Sequence, residues 1–319
     1  MTESLLLVAG GLVLLALGGE LLVRGAVGMA ARLGISPLLA GLTIVGFGTS
    51  TPELATSVQA ALAGSPGIAV GNVVGSNIAN ILFILGLSAV ILPLNVNPAS
   101  FSRDAIALGG SAVLCTGAVL LGVLGPLTGV VLLGCLVGYV WWAYTSESAA
   151  HDAEAERHEH EAEDRPVPPG TGPVVLGGMI VAGLAAAIFG AGWLVDGARV
   201  IASAAGVSES VIGLTVVAVG TSLPELIACI VAVIRKHEDV ALGNVVGSNI
   251  YNILGILGIT AVIKPIAVPP EIAAFDIWVM LGTTALLIVQ LRSGWRLSRI
   301  EGAVLVALYA GYTVFLALR

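Results

Sequence analysis

Residues 41–53 read GLTIVGFGTSTPE and residues 213–225 read GLTVVAVGTSLPE, agreeing at nine of thirteen positions across an offset of 172. Further along, VGNVVGSNIANIL at 70–82 meets LGNVVGSNIYNIL at 242–254, agreeing at eleven of thirteen across the same offset. One unit has been duplicated. The equal offsets mean that both copies keep their two motifs at the same separation.

The chain around these motifs is 57% hydrophobic and 10% charged over 319 residues, whereas about a quarter of a soluble domain is charged. A membrane-spanning helix needs roughly 20 mostly apolar residues. Ten such stretches fall near 5–31, 37–63, 68–93, 104–124, 127–145, 173–204, 209–234, 240–263, 277–292 and 300–318. Barrel strands alternate apolar and polar residues, and these long unbroken runs do not. Backbone polar groups in lipid must be paired internally, which leaves a helix bundle. The expected fold is an all-α membrane protein of about ten transmembrane helices. The start, Met1 to Ser4, lacks the basic stretch of a secretory signal, and the apolar run after it is too long for one. It is taken as the first span.

Five spans fall in each half, 1–145 and 173–319, around a linker at 146–172. That linker holds Glu147, Asp152, Glu154, Glu156, Glu159, Glu161, Glu163, Asp164 and three histidines, much of the acidity behind the net charge of −7. A solvated linker accounts for this composition more simply than a weak metal site. Because five is odd, the second copy enters the membrane from the opposite face. Inverted repeats are an architecture of secondary transporters, with the substrate site near the midplane. With the amino terminus outside, the inward loops carry Arg32, Arg103, Arg157, Arg165, Arg235, Lys236, Arg292, Arg296 and Arg299, nine of thirteen basic residues. The positive-inside rule then puts both termini outside and the acidic linker in the cytoplasm.

A carboxylate midway along a spanning helix costs about 2.5–3.5 kcal/mol on insertion scales, so such a residue signals function. Glu53 and Glu225 form the symmetric pair, each preceded by a proline, Pro52 and Pro224. A proline donates no backbone hydrogen bond and displaces the carbonyl four residues earlier, here Gly48 and Gly220. With Gly46 nearby, each helix is expected to unwind just before its glutamate and turn carbonyls inward. Irregular backbone at this depth survives only where it lines a cavity or is buried in protein.

Thr49 and Ser50 share a helix face with Glu53, and Thr221 and Ser222 with Glu225. In the second motifs Asn72, Ser76 and Asn80 recur every four residues, as do Asn244, Ser248 and Asn252. Carboxylates, carbonyls, hydroxyls and amides are the oxygen donors that calcium takes six to eight at a time. No histidine lies in a motif and Cys229 has no thiolate partner, which disfavours zinc and copper. Sodium alone is the other ion such oxygens suit, but two carboxylates on one site favour a divalent cation. Packing alone explains isolated small polar residues such as Ser88 and Ser111. It requires neither buried glutamates nor prolines beside them. Glu20 is expected to pair with Arg24 near a helix end, and Cys115, Cys135 and Cys229 are expected as buried thiols without a disulfide framework.

On these doubled GTSxPE and GNVVGSNIxN motifs the chain resembles, over nearly its whole length, the sodium/calcium exchangers of the calcium:cation antiporter superfamily, prokaryotic type. The resemblance implies that Glu53 and Glu225 ligate calcium with the carbonyls of Thr49 and Thr221. It assigns sodium to Ser50, Ser76, Ser222, Ser248, Asn80, Asn252, the carbonyls of Gly46 and Ala218, and the same two glutamates. Relatives of the potassium-dependent branch carry an aspartate where this chain has asparagine, so potassium-independent exchange is expected. The implied function is secondary antiport of Ca2+ against Na+ by alternating access, the glycine-rich first and sixth spans sliding against the motif-bearing bundle. No cofactor, nucleic acid or obligatory protein partner is expected beyond the lipid bilayer and the transported ions, in a plasma (cell inner) membrane. Neither a phosphate loop nor a nucleophile–base pair suggests an enzyme. The alternatives are a Ca2+/H+ antiporter of the same superfamily and, further off, a cation channel.

Overall fold

The computed structural model describes residues 2–154, 171–205 and 218–318. Within them ten helices run in sequence: α1 (Thr2–Leu33), α2 (Pro37–Thr49 and Thr51–Leu62), α3 (Pro66–Ile91), α4 (Pro98–Leu120), α5 (Pro126–Glu154), α6 (Pro173–Ala204), α7 (Ala218–Thr221 and Leu223–Ile234), α8 (Glu238–Ile263), α9 (Ile272–Gly294) and α10 (Arg299–Leu318). Eight of them are long and apolar enough to cross a membrane, and the broken α2 and α7 supply shorter apolar segments.

Four two-residue strands settle the topology: β1 (Leu94–Asn95), β2 (Val123–Leu124), β3 (Ile266–Ala267) and β4 (Arg296–Leu297). β1 pairs antiparallel with β4, and β2 with β3. Hence the chain emerges on one face after α3 and α9, and on the other after α4 and α8. The counterpart of β1, 172 residues on, is β3. Matching strands thus lie on opposite faces, as inverted halves require.

α1 and α6 lie antiparallel along their whole length, and their glycines explain how. Gly11, Gly18 and Gly25 recur every seven residues, and Gly183, Gly190 and Gly197 are their images at the offset of 172. A methyl group on Gly18 would sit 2.6 Å from the Ala187 nitrogen, and one on Gly183 2.6 Å from the Leu22 nitrogen. A seven-residue period keeps one seam facing the partner helix, and small residues let backbones approach where lipid removes the hydrophobic drive. The glycines expected to ease sliding against the bundle therefore mainly fasten α1 to α6. Gly19, which faces Ile227 and Val231 of α7, is an exception.

The fourth and fifth helices differ from expectation for visible reasons. The fourth span begins at Pro98 and ends at Leu120 rather than covering 104–124, because Val123 and Leu124 are drawn into the pair with β3. Arg103, counted above among inward-loop charges, is instead buried inside α4. α5 runs on to Glu154, nine residues into the proposed linker, through the alanines and glutamates of SESAAHDAE that favour helix. The rest of the linker, 155–170, lies outside the described residues, as do 206–217 with the first part of the seventh span and of its motif.

Candidate ion-binding site

The two halves of α2 are separated by one residue, Ser50 (φ −81°, ψ 10°), and those of α7 by Ser222 (φ −91°, ψ 8°). The expected unwound stretch is thus a single-residue interruption. The amides one turn on, at Leu54 and Leu226, still bond to the Ser50 and Ser222 carbonyls at 3.1 and 3.0 Å. Pro52 and Pro224 sit in the first turn of the second segments, where a missing N–H costs nothing. Gly48 and Gly220 face α6, where added methyl groups would strike Leu184 and Val195.

Glu53 and Glu225 are each 1% exposed. Each takes a hydrogen bond from the other copy: Ser50 Oγ donates to Glu225 Oε1 at 3.0 Å, and Ser222 Oγ to Glu53 Oε1 at 3.4 Å. These crossed bonds bring the carboxylates into one cluster between α2 and α7. Each glutamate's second oxygen, Oε2, has no hydrogen-bond partner.

The helices behind them are cut to the same plan. Asn72 Nδ2 donates to the Glu53 carbonyl at 3.0 Å and to Ser57 Oγ at 2.9 Å; Asn244 Nδ2 donates to the Glu225 carbonyl at 3.2 Å and to Cys229 Sγ at 3.1 Å. These asparagines therefore fix the main chain that carries the acids. Cys229 stands where the first copy has Ser57, and its thiol points at the Ala241 carbonyl (3.5 Å) as Ser57 Oγ does at Ala69 (3.5 Å). Thr49 Oγ1 bonds to the Val45 carbonyl at 3.0 Å and Asn244 Oδ1 at 3.2 Å, and Ser248 Oγ donates to the Gly46 carbonyl at 3.1 Å. Ala218 opens the described part of α7, so the chain leading to its carbonyl lies outside the described residues. Ser76 and Thr221 line a cavity of about 490 Å³ beside the cluster.

Asn80 and Asn252 each begin a π-helical stretch, Asn80–Leu85 and Asn252–Leu257. Single-turn π segments favour functional sites because they re-aim side chains. Asn80 Nδ2 donates to Asn249 Oδ1 at 3.0 Å, and Asn249 Nδ2 to the Asn77 carbonyl at 3.4 Å. Asn249, 0% exposed, thus ties α8 to α3, whereas the Asn77 side chain, 1% exposed, donates to the Val73 carbonyl of its own helix at 2.8 Å; sequence reasoning passed over both. Their signal was present as the first asparagine of each duplicated SNIxN.

Among the described residues, the buried side-chain oxygens without a hydrogen bond are Glu53 Oε2, Glu225 Oε2, Asn80 Oδ1, Asn252 Oδ1 and Gln290 Oε1. An unpaired buried polar oxygen costs a few kcal/mol, so each needs a reason. Four of the five occupy two symmetric positions of the duplicated motifs. Outside the cluster, Glu20 pairs with Arg24 as expected and also with Arg235 at the end of α7. Cys115 and Cys229 are buried and Cys135 half-buried, all three free.

Inverted five-helix halves around a shared pair of membrane-buried acids define a transmembrane antiporter, not an enzyme. The sodium/calcium exchanger protein family model matches residues 3–145 and again 175–318, one half each. The chain belongs to that family. It is 38% identical to the putative antiporter CaxA of Alkalimonas amylolytica and 33% identical to the sodium/calcium exchanger MaX1 of Methanosarcina acetivorans, covering 99% of both chains in each case. The solved sodium-calcium exchanger NCX_Mj superposes with a TM-score of 0.81 at 30% identity, over 97% of this chain and 98% of that one.

Proposed function

We propose that this antiporter exchanges Ca2+ for Na+ by alternating access, without potassium, with Glu53, Glu225, Asn80 and Asn252 as the oxygens that meet the ions. The observation that carries this reading is the set of four unpaired oxygens at symmetric buried positions, two of them acidic. A hard divalent cation satisfies the two carboxylates, and the two amide oxygens serve sodium. Sodium, needing fewer charges, is served by Ser50, Ser222, Ser76 and Ser248, and the contact of Ser248 with the Gly46 carbonyl supports that pairing. Thr49 and Thr221 lie beside the acids and supply their carbonyls to calcium.

Two ionised carboxylates in low dielectric repel one another until cations neutralise them, so the emptied carrier does not cross and transport is obligatory exchange. α1 and α6, locked by their glycines, move as one body against the rest. The chain resides in the plasma membrane with its termini outside and the 146–172 linker in the cytoplasm. That orientation rests on the loop lysines and arginines.

Sodium-loaded proteoliposomes test the reading. Calcium uptake is expected when the sodium gradient is present, unchanged when potassium is omitted. Uptake driven by a pH gradient with no sodium would transfer the assignment to Ca2+/H+ antiport, and a strict need for potassium would refute the potassium-independent part. Flux with no counter-ion present would indicate a channel.

A further inference from the structure

The duplication puts an aspartate at one point of both halves: Asp104 in α4 and Asp276 in α9, 172 residues apart. Each accepts the hydroxyl of a tyrosine from the last helix of its own half, Tyr139 to Asp104 Oδ1 at 3.1 Å and Tyr312 to Asp276 Oδ1 at 2.9 Å. Around this shared pair the halves diverge.

Asp104 is 1% exposed. Arg103 grips it through two bonds, Nε to Oδ1 at 2.7 Å and Nη2 to Oδ2 at 3.0 Å, while Nη1 reaches the Ala143 carbonyl at 3.0 Å. Its charge is cancelled in place. At the position matching Arg103 the second half has Phe275, whose ring packs 4.7 Å from that of Phe315. Among the described residues no basic side chain pairs with Asp276. Asp276 is half-buried and lines the 490 Å³ cavity, together with Asn72, Ser76, Thr221 and Ser222. The cavity thus runs from an uncompensated carboxylate to residues of the ion cluster, on the face of the membrane where β2 meets β3.

We propose that Asp276 is a cation-recruiting residue, a waiting station from which ions arriving at the β2–β3 face pass to the serines and then to Glu53 and Glu225. A charge set in low-dielectric walls concentrates counter-ions in a cleft, and acts twice as strongly on a divalent ion as on sodium. Toward the opposite face Arg103 cancels the charge of the matching Asp104. Recruitment is therefore one-sided, and it favours calcium over sodium on that side alone. The inference rests on the exchange reading for the identity of the ions.

The test uses membrane vesicles sealed in either orientation and measures the calcium concentration giving half-maximal flux. With calcium on the β2–β3 face, Asp276→Asn is expected to raise that concentration about three- to tenfold at low ionic strength with the maximal rate kept, the difference shrinking as salt screens the charge. With calcium on the other face the value stays unchanged. Asp276→Cys gives a second route: a negatively charged thiosulfonate reagent should restore the original value and a positively charged one should raise it further, against the unaltered chain treated alike. Equal half-saturation for the Asn variant and the unaltered chain at low salt would overturn the proposal, as would identical effects of the two reagents. The exchange reading is judged separately, on whether the unaltered chain couples calcium to sodium. Asp276 is judged on the difference between variant and unaltered chain under whichever counter-ion drives flux.

Discussion

α3 and α8 carry the same eight residues, GNVVGSNI, yet their surroundings differ. On α8 every residue from Val240 to Ile250 is buried. A methyl group on Gly243 would meet the Leu42 nitrogen at 3.0 Å, and one on Gly247 would meet the Leu42 Cα at 2.6 Å. On α3, among the described residues, a methyl group on the matching Gly71 would meet Ile272 Cδ1 at 3.7 Å, and one on Gly75 would have no described neighbour within 4 Å. One copy of the motif is clamped against α2; the other borders the large cavity. The counterparts of Leu38 and Leu42 at the offset of 172, Ser210 and Leu214, lie outside the described residues, so the comparison is between the described neighbours of the two helices.

The comparison breaks most severely at its centre. Glu53→Gln and Glu225→Gln should each lower sodium-driven calcium flux about a hundredfold or more, since unbalancing a buried charge cluster costs roughly 3–5 kcal/mol. The two losses should be of similar size, because the acids are equivalent even where their helices are not. Full activity in either variant would remove the site assignment.

The glycines probe the two environments directly. Gly247→Ala should lower stability in detergent by about 1–3 kcal/mol through overpacking. If the two sides alternate, α3 must at some point take the clamped position. Gly75→Ala should then exchange about tenfold more slowly, the equivalent of 1.4 kcal/mol on the closed state. Normal flux in that variant would mean that the α3 side never closes in this way.

A smaller effect is expected where Glu20 joins α1 to Arg235 of α7. Both groups are partly exposed, at 25% and 48%. Glu20→Gln should cost under about 1 kcal/mol in thermal unfolding, the ordinary scale of such pairs, and change the exchange rate two- to threefold at most. A larger change would make this pair a true latch between α1 and α7.

The architecture was legible in the sequence because lipid imposes long apolar runs and because a duplication with one fixed offset leaves little choice of topology. The acids were legible because a carboxylate in such a run is expensive. Less was visible where neighbours cancel a cost. Arg103 and Asp104 look like a loop in isolation, yet they neutralise each other inside α4 and so moved the expected start of that helix. Asn77 and Asn249 were passed over because they stand one residue beyond Ser76 and Ser248, off the four-residue polar stripe, in regular helix before the π segments. The broken helices were overstated, since a serine in a near-turn conformation suffices. The glycines of α1 and α6 were noticed for their number, whereas their sevenfold spacing carried the information.

The four short strands have a mechanical consequence. Each pair ties a loop beside the fourth helix of one half to the matching region of the other, and there is one such tie at each lip of the membrane. Halves stitched together at both rims cannot part like the shells of a clam. Whatever opens and shuts must therefore be the unstitched elements, and two halves made as separate polypeptides would still be expected to find each other and fasten.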